Sequence, residues 1–295
     1  MNDVLYRKIL GTIYKMTQKT PPLLTAETAK NLLTGKNRVS LNLGISKTTI
    51  KQINTKYLLN KAESIEAEDL EKIANDQRSI YFVDNKTVFM AAIRGKHFYK
   101  LAKTDGAPTL EIDGIRMHRT KNTTPEKDAK DKLKILGLRS GKVLDTCMGL
   151  GYTAIQAHEC GAEYVFSIEY EPNVMRIAQL NPWSTKLYTE PTIHKIIGDS
   201  FYVVDAFPTG YFDYIIHDPP RHSSAGHLYG QEFYRKLVRV LKPGGKLFHY
   251  TGEPGSRYRR VNIQKGVIDR LGAVGFVDLR YHSQVMGVVC TLGTA

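Results

Sequence analysis

Residues 141–153 have the sequence GKVLDTCMGLGYT, and this stretch decides the fold. A short apolar strand ends in Asp145, a tight turn containing Gly149 and Gly151 follows, and a helix begins. Glycine lets the backbone turn sharply and approach a ligand where any Cβ would clash. In open α/β sheets, such a turn lies at the carboxyl ends of the strands, where ligands bind. The stretch therefore predicts a ligand site at the edge of a parallel sheet.

Strands and helices alternate on both sides of this turn. Further strands are predicted over residues 164–168, 194–197, 212–216 and 246–250, and a helix over 259–272 precedes a strand pair over 276–281 and 284–292. A helix is also predicted to begin at Thr124-Pro125, because Thr is a preferred N-cap and Pro suits the first helical position. Alternating elements predict βαβ units. The expected fold class is therefore α/β, a largely parallel sheet with a terminal antiparallel strand pair, preceded by a small α+β domain.

Acidic residues follow the predicted strands. Glu169 ends the second strand, eighteen residues after Gly151, and an acid there can accept both hydroxyls of a ribose. The third strand is followed by Gly198-Asp199-Ser200, and the fourth by His217-Asp218-Pro219-Pro220-Arg221. Since parallel strands end at the same edge, these acids are expected to surround one ligand.

This ordered set of motifs resembles the class I methyltransferase family, which uses S-adenosylmethionine (SAM), over roughly residues 120–295. By this resemblance, the cofactor-binding residues are Asp145, Cys147, Gly149, Gly151, Glu169, Tyr170, Asp199 and Ser200. The resemblance implies that the first acid and the two glycines hold the methionine portion and that Glu169 holds the ribose. It also implies that Tyr170 packs on the adenine, whose amino group Asp199 contacts.

Two positions depart from known patterns of this kind. Cys147 stands where the family usually has glycine, which crowds the turn slightly. Ala154 stands where a nicotinamide-binding fingerprint has its last glycine. Nicotinamide-binding domains also lack the later Gly-Asp and Asp-Pro-Pro elements in this order, so the sequence favours the methyltransferase resemblance.

The candidate catalytic residues are Asp218, Pro219, Pro220 and Arg221. They resemble the Asp-Pro-Pro-aromatic motif of methyltransferases that act on exocyclic amino groups or amide nitrogens. A carboxylate and a proline carbonyl can accept the amine hydrogens and align the nitrogen lone pair with the methyl group. Arg221 departs from the usual aromatic residue, although a guanidinium plane can also stack on a base. Further candidates for the aromatic face, favoured as loop or packing residues, are His217, His222, His227 and Tyr229.

The N-terminal region is predicted to be a separate α+β domain over residues 1–118, followed by the cofactor-binding domain over 119–295. Its predicted helices cover residues 5–17, 25–33 and 63–74, and its predicted strands cover 39–45, 80–83, 88–93 and 97–101. The turn pairs Asp84-Asn85 and Arg94-Gly95 join the last three strands into a β-meander. We recognise no catalytic motif in this region.

Positive charge is concentrated in the N-terminal half. Lys and Arg number 42 and Asp and Glu 29, a net charge of +13, of which residues 1–140 carry +11 (26 against 15) and residues 141–295 carry +2 (16 against 14). A basic surface raises the local concentration of polyanions, so the expected partner is RNA, ribosomal RNA first. The alternative is a lysine-rich surface that only keeps the protein soluble. Arg257, Arg259 and Arg260 are either a phosphate contact or a solvated cluster.

Cysteine usage and hydropathy limit which classes of protein and which kinds of site are expected. The three cysteines, Cys147, Cys160 and Cys290, have no CxxC spacing, which disfavours a disulfide framework and a zinc site. This usage is typical of a reducing cytoplasm. Since no run of eighteen apolar residues occurs, no transmembrane helix is expected. We expect a cytoplasmic protein without a membrane or metal partner, and the oligomeric state stays open.

The favoured function is SAM-dependent methylation of an exocyclic amino group of a base in structured RNA. Cytidine N4 is the first choice, because the Asp-Pro-Pro pattern suits an exocyclic amine, and adenosine N6 and guanosine N2 stay open. The whole chain also resembles archaeal proteins of the ribosomal RNA cytidine N4-methyltransferase kind. In that interpretation the basic N-terminal domain holds the RNA backbone and the Asp218 loop receives a flipped-out base.

The runner-up is an aminopropyltransferase similar to spermidine synthase, which uses decarboxylated SAM. Residues 212–218 and 232–245 resemble the later motifs of that family. A polyamine pocket needs several acids, however, and Arg221 and the excess positive charge oppose a cationic substrate. A nonenzymatic RNA-binding protein with a degenerate domain and a protein glutamine methyltransferase are less favoured functions.

Overall fold

A computed structural model describes residues 21–220, 225–252 and 263–294 of the protein. Some sequence predictions concern residues outside these ranges. They are the helix over 5–17, the catalytic candidate Arg221, His222, the arginines Arg257, Arg259 and Arg260, and the start of the helix over 259–272.

Helices and short strands alternate along the described ranges. In chain order, the helices are α1 (Ala26–Leu33), α2 (Ala67–Asn75), α3 (Pro125–Leu136), α4 (Tyr152–Glu159), α5 (Pro172–Leu180), α6 (Thr185–Thr189), α7 (Ser200–Val203), α8 (Gln231–Val240) and α9 (Ile263–Ala273). The strands before α3 are β1 (Leu23–Leu24), β2 (Arg38–Val39), β3 (Thr48–Thr49), β4 (Lys51–Ile53), β5 (Lys56–Leu58), β6 (Ser64–Glu66), β7 (Tyr81–Asp84), β8 (Thr87–Met90), β9 (Ala92–Arg94), β10 (Phe98–Ala102), β11 (Thr109–Ile112) and β12 (Ile115–Arg116). The later strands are β13 (Gly141–Asp145), β14 (Ala162–Glu169), β15 (Ile193–Ile197), β16 (Phe212–His217), β17 (Leu241–Tyr250), β18 (Phe276–His282) and β19 (Gly287–Leu292).

The chain divides into two compact units. Among the described residues, the sheet unit comprises 128–172, 189–220, 225–252 and 263–294, and the basic unit comprises 21–127 and 173–188. The basic unit contains 20 Lys and Arg against 12 Asp and Glu, a net charge of +8, whereas the sheet unit contains 14 against 15, a net charge of −1. The positive charge of the described chain is therefore carried by the basic unit. The domain boundary at residues 118–119 stays a prediction.

The sheet unit is built on a seven-stranded sheet in the order β15-β14-β13-β16-β17-β19-β18. Strands β13 to β17 pair in parallel, and β19 pairs antiparallel with both β17 and β18. This architecture confirms the predicted α/β fold class, including the terminal antiparallel strand pair. The order also places the four strands that are followed by acids next to one another.

The core of the sheet unit explains why these segments form strands. Parallel strands covered on both faces are near-continuous apolar runs. In β16, Phe212, Ile215 and Ile216 are fully buried, and Leu144 of β13 and Leu247 of β17 are buried beside them. Each fully buried side chain of this size contributes about 1.5–3 kcal/mol of hydrophobic stabilisation.

The basic unit contains helices α1 and α2 with several short antiparallel sheets, and its segment 173–188 adds most of α5 and α6. The predicted N-cap is confirmed, since the Thr25 hydroxyl accepts a hydrogen bond from the Thr28 N–H at 3.3 Å. The predicted turns Asp84-Asn85 and Arg94-Gly95 join the pairs β7–β8 and β9–β10, but these pairs lie in two separate sheets, so the prediction of a single β-meander is wrong. Asn85 turns the first hairpin with φ +51°.

The predicted strand over residues 39–45 is wrong beyond Val39. After β2 the chain turns instead, and Leu43 and Gly44 have φ of +53° and +93°. The Ser40 hydroxyl accepts hydrogen bonds from the backbone N–H groups of Asn42 and Gly44. Side chains that satisfy nearby backbone groups compete with a strand ladder, and at this turn they override the alternating apolar pattern.

None of the described helices is long and apolar enough to cross a membrane.

Candidate functional site

Four of the predicted site residues are acids at the carboxyl ends of neighbouring strands. They are Asp145 at the end of β13, Glu169 at the end of β14, Asp199 after β15 and Asp218 after β16. Because these strands are parallel and adjacent, the four acids lie along one edge of the sheet.

The glycine-rich turn folds against the second acid. Gly149 and Gly151 have φ of +55° and +82°, a region that L side chains rarely adopt. The Gly149 N–H donates to Glu169 Oε2 at 2.9 Å, and the Gly151 carbonyl begins α4 by accepting from the Ile155 N–H. The turn thereby joins the ends of β13 and β14.

Asp145 is completely buried. The hydroxyls of Ser167 and Thr153 donate to its Oδ2 at 2.7 and 3.2 Å. Its Oδ1 has no hydrogen-bond partner among the described residues. Burial, with a further contribution from the Asp218 charge, raises the pKa of Asp145 to about 6. A buried carboxylate oxygen without a partner is costly, so this atom fits a ligand that carries a positive charge or a donor.

Glu169 is partly buried, and its environment also disfavours the charged form. Burial raises the pKa of Glu169 to about 7, although the backbone N–H groups of Glu171 and Gly149 partly oppose that rise. Glu171 N–H donates to Oε1 at 2.9 Å. Each carboxylate oxygen can accept a second hydrogen bond, so Glu169 can still accept from a ribose.

The remaining cofactor candidates differ in their surroundings. Tyr170 has 71% of its surface exposed, so its ring can meet a ligand. Asp199 caps α7 by accepting from the Phe201 N–H at 2.9 Å, and His227 Nε2 lies 3.4 Å from its carboxylate. Ser200 is buried and donates to the Thr146 carbonyl, so its hydroxyl holds the turn after β13.

Cys147 is partly buried at the start of the glycine-rich turn. Burial and the charge of Glu169 raise the pKa of this thiol well above its ordinary value. The Thr146 hydroxyl oxygen lies 3.8 Å from its Sγ. Cys147 is therefore a neutral thiol, and it is accommodated at the position where the resembling family usually has glycine.

Asp218 forms an ion pair that the sequence did not lead us to expect. The Lys132 ammonium on α3 lies 2.5 Å from Asp218 Oδ2 and 2.7 Å from Asp128 Oδ2. The sequence did indicate that Lys132 would need an acidic partner. Asp128 and Lys132 lie one turn apart on the face of α3 that buries Leu133. A buried lysine on an apolar helix face needs a partner, and Asp218 supplies one.

The loop after Asp218 is stabilised by a hydrogen bond from the buried residue Tyr229. Pro219 is buried and Pro220 exposed. The Tyr229 hydroxyl donates to the Pro220 carbonyl at 2.9 Å, and Tyr229 is only 3% exposed. Its ring is therefore packed beneath the loop, and among the four candidates for the aromatic face it fits the packing interpretation.

His217 is a core residue. It is fully buried, and burial lowers its pKa to about 3, so the ring is neutral. Its Nε2 donates to the Leu228 carbonyl at 3.0 Å, and its Nδ1 lies 2.7 Å from the Thr146 hydroxyl. His249 packs against it with ring centroids 4.3 Å apart. His227, by contrast, has about half of its side chain exposed.

The residues at this edge fit SAM. The cofactor carries an ammonium and a sulfonium, and the buried carboxyl groups of Asp145 and Glu169 are suited to compensate a positive charge there. The left-handed glycines give backbone access, and Glu169 provides acceptors for a ribose. No cluster of His, Cys, Asp and Glu that could hold a metal ion occurs within the described ranges.

Comparisons with known proteins agree with the fold. No family model matches the chain. The uncharacterized protein MJ1233 of Methanocaldococcus jannaschii is 46% identical over 276 residues, which cover 90% of this chain and 94% of that protein. The polyamine aminopropyltransferase 2 of Streptomyces coelicolor is 32% identical over 117 residues, 38% of this chain and 21% of that protein. Spermidine synthase from Thermotoga maritima superposes with a TM-score of 0.53 at 18% identity, over 73% of this chain and 75% of that structure.

Proposed function

The chain belongs to the same family as MJ1233 of Methanocaldococcus jannaschii, and we propose that it is a SAM-dependent methyltransferase acting on an exocyclic amino group of a base in structured RNA. Ribosomal RNA is the proposed substrate and cytidine N4 the proposed acceptor atom. The supporting observation is the position of Asp218: it follows β16, the neighbour of β13, whose end carries Asp145 and the glycine-rich turn. An acceptor bound at Asp218 is thus beside the proposed cofactor.

The residues of the chain would act mainly by alignment. SAM supplies a methyl group that is already activated by its sulfonium. The Asp218 carboxylate accepts a hydrogen of the amino group, which orients the nitrogen lone pair and stabilises the charge that develops on nitrogen. As the nitrogen–carbon bond forms, the carbon–sulfur bond breaks and the neutral thioether S-adenosylhomocysteine leaves, while the nitrogen gives up one proton to solvent. Pro219 and Pro220 restrict the backbone at this point, because their rings fix φ.

RNA as the partner is supported by the surface of the basic unit. Its net charge of +8 favours contact with phosphates. Phe89 on β8 is 45% exposed and stacks on Phe82 with ring centroids 5.4 Å apart. The Arg94 guanidinium lies 5.3 Å from the centre of the Phe98 ring. The exposed ring of Phe89 and the partly exposed ring of Phe98 beside Arg94 are suited to stack on unpaired bases.

The test is methyl transfer with methyl-labelled SAM to ribosomal RNA, DNA and a protein extract, followed by nucleoside mass spectrometry. We expect label on N4 of cytidine in RNA. In Asp218→Asn the rate is expected to fall on the order of 100-fold, the usual effect of removing one aligning group, with the Kd for SAM unchanged. The matched control is Glu163→Gln, an exposed acid near the opposite end of β14. A protein that binds SAM but labels no RNA, or an Asp218→Asn variant with the normal rate, would refute the proposal.

A second candidate is aminopropyl transfer, favoured by the similarity of part of the chain to the Streptomyces coelicolor enzyme. The acids at the carboxyl edge could hold a cationic amine. The same assay is run with decarboxylated SAM and a diamine. Product in that reaction and none with RNA would move the assignment to aminopropyl transfer.

A further inference from the structure

A buried cation lies behind the proposed reaction centre. Lys132 is 5% exposed, and its ammonium contacts the carboxylates of both Asp128 and Asp218. The same ammonium lies 5.0 Å from the centre of the Tyr250 ring and 5.9 Å from that of Phe248. Each of its neighbours thus stabilises a positive charge.

The cluster has a definite charge. Burial alone lowers the pKa of Lys132, but the charges of Asp218 and Asp128 outweigh burial and raise it, so the ammonium stays protonated at neutral pH. One cation between two carboxylates leaves a net charge of −1. Asp128, on α3 with Lys132, is 3% exposed and already compensates the lysine. The three side chains together therefore keep one negative charge beside the acceptor.

We propose that Lys132 is a positioning residue for the transfer reaction: its buried ammonium fixes the Asp218 carboxylate in one orientation and keeps it in the ionised form that can accept amine hydrogens. Lys132 acts through Asp218 and does not itself need to touch the acceptor. The inference rests on the proposed reaction at Asp218, but the charge it assigns can be measured without any acceptor.

The other groups that face Asp218 make such a cation necessary. Asp145 ends β13 and Cys147 follows it, and burial, with a smaller contribution from the Asp218 charge, raises the pKa of both. Burial, with a contribution from the Asp218 charge, also raises the pKa of Tyr229. Among these groups only Asp145 can be anionic near neutral pH, and its charge, together with partial burial, disfavours an ionised Asp218. The contact with Lys132 opposes them.

The charge of the cluster also suits the transfer. The nitrogen becomes more positive as it bonds to carbon, and a net charge of −1 beside it stabilises that change. Two carboxylates without a cation between them would hold a proton in common, and a neutral Asp218 could not accept as an anion. The Lys132 ammonium, held between Asp128 and Asp218, prevents this loss of the negative charge on Asp218.

The experiment measures the charge of Asp218 directly. The full-length protein is labelled at aspartate side-chain carboxyl carbons, the Asp218 signal is assigned with Asp218→Asn, and its pKa is followed by NMR. In Lys132→Met the pKa of Asp218 should rise by about one to three units, the usual effect of one close opposite charge. Asp128→Asn disturbs the same packing but removes a negative charge, so in that variant the pKa of Asp218 should stay unchanged or fall. Lys130→Met, an exposed site on α3, is the matched control.

Loss of one partner from a buried charge cluster can unfold a protein. The double variant Asp128→Asn/Lys132→Met therefore replaces both charged groups. The pKa of Asp218 in this double variant should be higher than in the single variant Asp128→Asn. An unshifted Asp218 pKa in both Lys132 variants would overturn the inference, as would a rise of equal size in Asp128→Asn. An elevated pKa with no methyl transfer to RNA would leave Lys132 in its role and refute only the proposed RNA substrate.

Discussion

Cofactor affinity should fall steeply as the pH is lowered from 7.5 to 5.5. Both carboxyl groups at the proposed SAM site have raised pKa values, about 6 for Asp145 and about 7 for Glu169. An acid is charged above its pKa, and only the charged form compensates the cationic cofactor. Protonation therefore competes with binding, and affinity is lost on the acidic side.

The size of the effect follows from these two values. At pH 5.5, about a quarter of Asp145 and about 3% of Glu169 are ionised, which gives roughly 0.7% of the doubly ionised form. At pH 7.5 that form makes up about three quarters. If binding needs both charges, the Kd for SAM should rise on the order of 100-fold, equivalent to about 2.7 kcal/mol.

Isothermal titration calorimetry of SAM at several pH values is the assay, repeated in buffers of different ionisation enthalpy to count released protons. In Glu169→Gln, Asp145 alone remains, and the change over the same range should shrink to about fourfold. Glu163→Gln should behave as the wild type. A Kd that varies less than threefold across this range, or Glu169→Gln with the full pH dependence, would contradict the assignment of these carboxylates to the cofactor site.

Two further predictions concern stability and RNA. Gly287→Ala would place a Cβ 2.5 Å from the Phe248 ring in the buried β17–β19 pair, so the free energy of unfolding should fall by about 1–3 kcal/mol in a denaturant titration. Gly272→Ala on α9, whose Cβ would lie 3.7 Å from Leu279 Cδ1 of β18, should instead raise that free energy by up to about 1 kcal/mol. The same sign for both would refute the packing argument. Phe89→Ala should weaken RNA binding by about 1–3 kcal/mol in a filter-binding assay and leave the Kd for SAM unchanged, whereas the exposed aliphatic Ile53→Ala should alter neither. Equal losses for the Phe89 and Ile53 variants would show that the aromatic ring does not stack on RNA.

The largely parallel α/β sheet could be predicted because its signals are local. Each parallel strand is a short apolar run that ends in an acid or a glycine turn, and the spacing of these runs leaves room for one helix between them. The chain direction then requires Asp145, Glu169 and Asp218 to lie at one edge, whatever the details of packing. The terminal strand pair was predictable for the same reason.

The predicted strand over residues 39–45 is wrong because two local tendencies compete in that segment. Residues 39–45 alternate apolar and polar as a strand does, but the polar positions Ser40 and Asn42 bind nearby backbone groups and turn the chain. The pattern of periodicity does not reveal which of these tendencies prevails, because that depends on whether a neighbouring strand is available to pair.

The sequence alone determined the fold class, the strand ends and the acids that follow them, because these depend on residues near one another in the chain. Only the tertiary structure decided the charge of the proposed reaction centre, in which Lys132 and Asp218 are 86 positions apart and meet at 2.5 Å. It likewise decided that His217 and Tyr229 are buried beneath the loop. Burial and long-range ion pairing depend on which elements pack together, and no spacing within one segment specifies that.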